Sequence, residues 1–304
     1  WVQLNHPGKQ APKGLNKETV SPSAIPFRKD MQSFFNTPRE LTEAEIHDLI
    51  KRFAFAAKMV KEAGFSVVQI HGAHWYLVSQ FLSPHHNQRT DLWGGDPERR
   101  RRFVLEVYQA MRDAVGGGFP IGIKLNSADF QRGGFTDEES LETIKALESA
   151  GIDLIEISGG TYEAPAMMGA KWKESTQKRE AYFMDFAVKA RKAVKIPMVV
   201  TGGFKSYEGM AEAIESGNVD FVGLARLIAV EPDAPLRLLN GQSPKISIQS
   251  IKTGIGPIDK MSVMETVWYR EQLESMGKGM EPKPNLSAFV VFLKFAYKLI
   301  FKRT

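Results

Sequence analysis

Residues Gln69–Gly95 read QIHGAHWYLVSQFLSPHHNQRTDLWGG. An apolar run, Val67, Val68 and Ile70, stops at His71, and Gly72, Ala73, His74, Trp75 and Tyr76 follow. Two imidazoles and a phenol are thus crowded together at the end of a buried strand. Helical spacing would bring His71 and His74 together but swing Tyr76 away. Strand spacing would put the two histidines on opposite faces. A turn leaving a strand aims all three at one point, and groups held at a strand's C-terminal end are where an α/β barrel keeps its chemistry.

Outward from this stretch, strand-like and helix-like segments alternate. Trp1–Asn5 is expected as a strand. Thr42–Gly64 is expected as a helix, opened by a Thr42/Glu45 capping box, closed by Gly64, and striped with Phe53, Ala56, Ala57 and Val60. Ser66–His71 follows as a strand, then Pro97–Val115 as a helix and Ile121–Asn126 as a strand. Thr136 and Glu139 open a helix that runs to Gly151, and Asp153–Ser158 is a strand before Gly159 and Gly160. Glu180–Val194 reads as a helix, Met198–Thr201 as a strand, Ser206–Gly217 as a helix and Asp220–Leu224 as a strand. Short apolar strands separated by helices imply parallel pairing beneath a helical layer.

An open doubly wound sheet would alternate in the same way, but two features favour a closed barrel. No Gly-x-Gly-x-x-Gly turn follows any strand. Polar or glycine-rich residues follow every strand: Asn5-His6, His71, Lys124–Asn126, Ser158–Gly160, Thr201–Gly203 and Ala225-Arg226. A site assembled from many strand ends is barrel behaviour. The fold class expected is α/β, a (β/α)8 TIM barrel over residues 1–242, with a helical extension over 243–304.

The 304 residues are 43% hydrophobic, ample for a sizeable core. The absence of cysteine excludes disulfides, thiolate zinc sites and cysteine-held iron–sulfur clusters within this segment. The net charge of +5 is mild and its signs are interspersed, which argues for a solvated surface and no nucleic-acid partner. The basic run Arg99–Arg102 reads as a helix start with local salt bridges. The chain opens at Trp1 with no charged n-region of a signal peptide, so a cytoplasmic location is expected, and the start reads as a cut inside a domain.

The signature resembles that of the old yellow enzyme family, the NADH:flavin oxidoreductases that hold FMN in a TIM barrel. It matches at His71, Gly72, Ala73, His74, Tyr76, Leu77, Gln80, Phe81, Leu82, Ser83, Pro84, Asn87, Arg89, Asp91, Gly94 and Gly95, and the resemblance continues to about Gln242. It places Trp1–His6 at the family's third strand. The first two strands would then be absent, which explains why six are counted where a barrel needs eight. It implies an FMN-dependent oxidoreductase that takes reducing equivalents from NADH or NADPH. Hydride would pass through flavin N5 to a small-molecule substrate, an activated alkene of the enone type or another acceptor including oxygen.

The candidate site residues follow. Gly202 and Gly203 close one strand, and Ala225 and Arg226 close the next. Glycine N–H groups and a bidentate guanidinium at the last two strands of a barrel suit a phosphate, and the resemblance makes it that of FMN. Lys124 is the candidate cation at the flavin's N1–O2 edge, where the family commonly has Arg. Gln3 matches a flavin-contacting glutamine. The plainer readings are a lysine snorkelling to solvent and a glutamine capping the sheet. His71 and His74 would donate to the substrate's carbonyl oxygen, and Tyr76 would give a proton to the α-carbon. Paired histidines can also mark a metal site, although no third ligand falls in the pattern. His85 and His86 read as solvated loop residues.

Three departures stand out. Trp75 replaces the glycine usual before the tyrosine and would be strained if that position needs a positive φ. Glu98-Arg99-Arg100 and His6-Pro7-Gly8-Lys9 also differ from the family's usual residues. Past Gln242 the resemblance thins. Met261–Met276 reads as a helix with Trp268 and Tyr269. Leu286–Phe301 is strongly apolar, with Lys294, Lys298 and Lys302 at i, i+4 and i+8, too short and too charged for a membrane span. It would dock on the barrel or on a second subunit of a homo-oligomer, or make peripheral membrane contact through residues 286–303. The rival to an enzyme is a non-catalytic scaffold or interaction protein derived from a truncated flavin barrel.

Overall fold

Within the central strands, odd and even positions differ in chemistry. Ile121, Ile123 and Leu125 alternate with Gly122, Lys124 and Asn126; Ile155 and Ile157 alternate with Glu156 and Ser158. Successive strand residues point to opposite faces, so such strands make a two-faced sheet. The structure is a computed structural model that describes residues 1–159, 183–246, 248, 250–259 and 263–301. Its strands are β1 (Val2–Leu4), β2 (Val20–Ser21), β3 (Arg39–Glu40), β4 (Val68–Gly72), β5 (Ile121–Asn126), β6 (Leu154–Ser158), β7 (Met198–Thr201) and β8 (Phe221–Gly223). The expected strands are all found, with ends moved by a residue or two.

Six of them form one parallel sheet in the order β1-β4-β5-β6-β7-β8. That order, each strand beside its predecessor, is the order of barrel staves. Among the described residues no strand joins β1 to β8, so the barrel is not closed. Register pairs Gln3 with Gln69, His71 with Lys124, Lys124 with Glu156 and Asn126 with Ser158. These residues therefore share one face. The other face carries Val68, Ile70, Ile121, Ile123, Ile155 and Val200, all buried. It lies beneath the helices α1 (Glu43–Glu62), α3 (Pro97–Val115), α4 (Asp137–Ala150) and α5 (Met184–Ala193), which pack side by side in chain order.

The helix ends follow the sequence. Thr42 Oγ1 accepts from Glu45 N at 3.3 Å and the Glu45 carboxylate accepts from Thr42 N at 2.8 Å. Thr136 and Glu139 make the same reciprocal pair at 3.2 Å each way, and Gly151 ends α4 in the left-handed region. These pairs satisfy orphan amides of the first turn. Residues 180–182 of the helix expected over Glu180–Val194 lie outside the described residues. A short helix that was not expected, α2 (Leu77–Leu82), lies inside the signature. All six of its residues are buried, so no amphipathic stripe announces it.

The chain divides into two compact units, Trp1–Gly203 with Ala213–Gly223, and Phe204–Glu212 with Leu224–Thr304. The second contains the helices α7 (Ala234–Leu239), α8 (Gly256–Asp259), α9 (Val263–Met276) and α10 (Ala288–Phe301); α6 (Tyr207–Glu215) is divided between the units. Val230, Met264, Trp268, Ala288 and Val291 make the second unit's core. Trp268 Nε1 donates to Leu286 O at 2.8 Å. Two lysines of the expected stripe turn to the preceding helix, Lys294 to Glu271 at 2.9 Å and Lys298 to Glu274 at 3.3 Å; Lys302 lies outside the described residues. No helix of the described residues is long and apolar enough to cross a membrane.

The basic run on α3 is only partly local. Arg99 pairs with Asp96 and Arg102 with Glu106 at helical spacing. Arg100 is buried instead. It bridges Glu139 on α4 and donates to Leu82 O at 3.1 Å and Gly95 O at 2.6 Å. Removing one partner of a buried pair leaves the other charge uncompensated. Arg100→Met is therefore expected to cost about 3 kcal/mol of unfolding free energy by denaturant titration, whereas Arg99→Met should cost well under 1 kcal/mol, on the order of an exposed pair.

Candidate active site

The site begins at Gly72, the last residue of β4, where a Cβ would lie 3.0 Å from Ile123 Cδ1 and 3.1 Å from Lys124 O. Beyond it the chain turns sharply. His74 and Trp75 both take φ near +57°, the left-handed region that side chains rarely adopt. The turn is held on several sides. His74 N donates to Asn126 Oδ1 at 3.2 Å, Gln10 Nε2 donates to His74 O at 2.8 Å, and Gln80 Nε2 donates to Trp75 O at 2.5 Å. Leu77 N closes onto His6 O at 2.9 Å. The left-handed Trp75 is the strain that the sequence anticipated.

This turn brings the three expected groups together. The His71 ring centroid lies 5.2 Å from that of His74 and 4.9 Å from that of Tyr76. His74 Nε2 lies 3.0 Å from Ser158 Oγ at the end of β6. His71 Nδ1 is buried and has no hydrogen-bond partner among the described residues. Burial, then the Lys124 ammonium, pulls the His71 pKa down to about 4, with Glu156 opposing. Burial also holds His74 well below the usual imidazole range, helped by Lys124 and His71. Both rings are therefore neutral at physiological pH, each with one donor and one acceptor nitrogen.

Lys124 is neither a lone cation nor a solvent-seeking lysine. Its Nζ sits 2.9 Å from Glu156 Oε1, and both side chains are largely buried. Gln3, on the edge strand β1, donates its side-chain amide to Gln69 Oε1 at 2.8 Å. Gly202 and Gly203, after β7, have φ of +118° and +91°. Ala225 and Arg226 belong to the second unit, where Ala225 is exposed and Arg226 Nη1 pairs with Glu265 Oε1 at 3.3 Å. Gly160 lies outside the described residues. Among the described residues no group of three or more His, Cys, Asp or Glu is placed to hold a metal.

The sequence marks Asn126 and Ser158 only as polar strand ends, without a role, and Glu156 could have been found from the alternation within β6. Asp129 could not; it lies in a loop, fully buried. Burial pushes its carboxyl up, against hydrogen bonds from Ser83 at 2.6 Å and Phe135 N at 2.9 Å. His86 is a correction. It is buried rather than solvated, because its loop folds back against Trp75. The two rings lie 4.1 Å apart, and Lys9 Nζ donates to His86 Nδ1 at 3.0 Å.

Comparison with known proteins places the chain in a family. Residues 1–244 match the family described as NADH:flavin oxidoreductase / NADH oxidase. The NADH-dependent flavin oxidoreductase iliE of Neonectria sp. (strain DH2) is 39% identical over 256 residues, 77% of this chain and 33% of its own length. The NADH-dependent flavin oxidoreductase iccE of Talaromyces variabilis is 34% identical over 306 residues, 91% of this chain and 74% of its own. The chain thus spans a third of the first relative and about three quarters of the second. The old yellow enzyme homologue from Zymomonas mobilis superposes with a TM-score of 0.66 at 23% identity, over 83% of this chain and 68% of its own, and shows the TIM-barrel fold. Matched over most of its length, the chain belongs to the NADH:flavin oxidoreductase / NADH oxidase family.

Proposed function

We propose that this chain is the catalytic part of an FMN-dependent NAD(P)H oxidoreductase acting on an activated alkene of the enone type. The observation that carries the reading is the convergence of two neutral imidazoles and a phenol at the C-terminal edge of a parallel sheet, with the buried His71 Nδ1 unpartnered. The residues present fit a flavin. Left-handed Gly202 and Gly203 can turn successive amides toward a phosphate, and Gln3 and Lys124 supply donors along the polar face for the ring. Bound FMN would supply the redox chemistry, taking electrons from NADH or NADPH and delivering hydride from N5.

The protein's own groups would do the rest. An uncharged imidazole can give one N–H to a carbonyl oxygen, and two such donors stabilise the negative charge that grows there. For His74 this requires either donation from Nδ1 or release of the Ser158 contact at Nε2. Tyr76, whose ring lies beside that of His71, would give the proton that the α-carbon needs. Burial of His71 strengthens the contact that its ring would make.

Adding FMN to the purified protein is expected to give a yellow complex that survives gel filtration, with an absorption spectrum shifted from that of free FMN. A protein that stays colourless would overturn the reading and leave the scaffold alternative. With enone as acceptor, His71→Ala/His74→Ala together should raise the barrier by about 3 kcal/mol, roughly two orders of magnitude in kcat/KM; unchanged turnover would remove both histidines from the mechanism. Because the lowered pKa leaves His71 neutral above about 4, its protonation should add no acid limb to the kcat/KM profile above that pH.

A further inference from the structure

The polar face carries a carboxylate that the mechanism above does not use. Glu156 stands on β6 directly opposite Lys124 on β5. It accepts three donors: Lys124 Nζ at 2.9 Å and Thr201 Oγ1 at 2.6 Å on Oε1, and Gln69 Nε2 at 2.9 Å on Oε2. Gln69 in turn accepts from Gln3 Nε2 at 2.8 Å. Strands β1, β4, β5, β6 and β7 thus each contribute one side chain to a single network.

Two glycines make room for it. Gly122 is the register partner of Gln69, so no side chain stands between Gln69 and β6. A Cβ at Gly223 would overlap Thr201 Oγ1, so glycine there leaves Thr201 free to turn toward Glu156. Burial pushes the Glu156 carboxyl up, but Lys124, Thr201 and Gln69 outweigh it and hold it below the usual carboxylate range. A packing role would need neither the charge nor three donors, since an apolar side chain fills such space at lower desolvation cost.

We propose that Glu156 is a positioning residue of the flavin site: it fixes the Lys124 ammonium at the strand end and cancels its charge, and so sets the redox poise of the bound ring. This rests on the flavin reading above. A ring beside Lys124 meets an ion pair rather than a lone cation, so its reduced, negatively charged form is stabilised less than by an unpaired ammonium. His71, opposite Lys124 in register, feels the same pair: Lys124 lowers its pKa and Glu156 raises it. Among the described residues, His74 also feels Lys124 and His71, and the Tyr76 phenol ring lies 4.9 Å from the His71 ring.

The test uses Glu156→Gln, Lys124→Met and the double variant, with two readouts. In FMN-loaded protein, the two-electron midpoint potential should rise in E156Q and fall in K124M, each by at least a tenfold change in the redox equilibrium, about 30 mV. In the double variant it should return toward wild type. In flavin-free protein followed by NMR, the His71 imidazole midpoint should fall in E156Q and rise in K124M. A merely structural role would move both single variants in the same direction, and that result, or midpoints unchanged throughout, would overturn the proposal. If wild-type protein takes up no FMN, the flavin reading fails, while the imidazole titration still decides whether Glu156 governs the charge at Lys124. If E156Q does not fold, Glu156→Asp, which keeps the charge but draws it away from Lys124, takes its place: the His71 midpoint should shift in E156D, and an unchanged midpoint would overturn the proposal.

Discussion

The parallel sheet has one dry face, and the register of its strands decides which residues escape it. Ile121, Ile123 and Leu125 must lie under the helices, so Lys124 and Asn126 must lie on the opposite side. A slip of one residue in β5 would drive an ammonium and an amide into the helix-covered layer, where an unpaired charge is far too costly to persist. The hydrophobic effect therefore specifies polar contacts it does not itself make. Lys124 meets Glu156, and His71 stands beside Lys124, because the apolar halves of three strands are buried together.

That register also sets the electrostatic character of the site. Two histidines beside an ammonium could have made a strongly cationic pocket. They do not, because burial and Lys124 keep the rings neutral while Glu156 balances Lys124. What remains is a set of directed N–H and O–H donors with little net charge. Such a surface stabilises charge that develops during a reaction more than charge already present in the ground state. The same arrangement explains why Lys can stand here in place of Arg. A single acceptor, Glu156 Oε1, holds the ammonium as a point charge, and no bidentate fork is needed.

Much of this was legible in the sequence, and the gaps have physical causes. Every strand of the main sheet could be read because its apolar run ends in polar or glycine residues, and α1 and α4 because Thr42 and Thr136 carry reciprocal caps. The gathering of His71, His74 and Tyr76 could be read because no regular element would bring them together. Helix α2 could not, since a helix buried on every side has no periodicity. Nor could the burial of His86 or Arg100, whose partners, Lys9 and Glu139, lie far away along the chain. The partner of Lys124 was hidden for a different reason. Glu156 looked like one more charged residue, and only the parallel register shows that it faces Lys124.

The turn at His74 and Trp75 shows how the fold sustains local strain at its site. Two consecutive non-glycine residues in the left-handed region cost roughly 1–2 kcal/mol each. Trp75 offsets this by burial. Its indole is completely enclosed, edge-on to His86 at 4.1 Å and stacked near His85 at 5.8 Å, with the Lys9 ammonium 5.5 Å from the ring. Its N–H closes no hydrogen bond of normal geometry, yet it lies near enough to the Asp129 carboxylate to oppose the rise that burial imposes on that group. Truncating a buried Trp costs about 3–5 kcal/mol, as much as or more than the strain of the turn. A glycine at this position would relax the backbone but leave a void and free the turn. The aim of His74 and Tyr76 thus depends on the packing beneath the turn, and the side chain that breaks the local backbone preference is the one that holds the site in place.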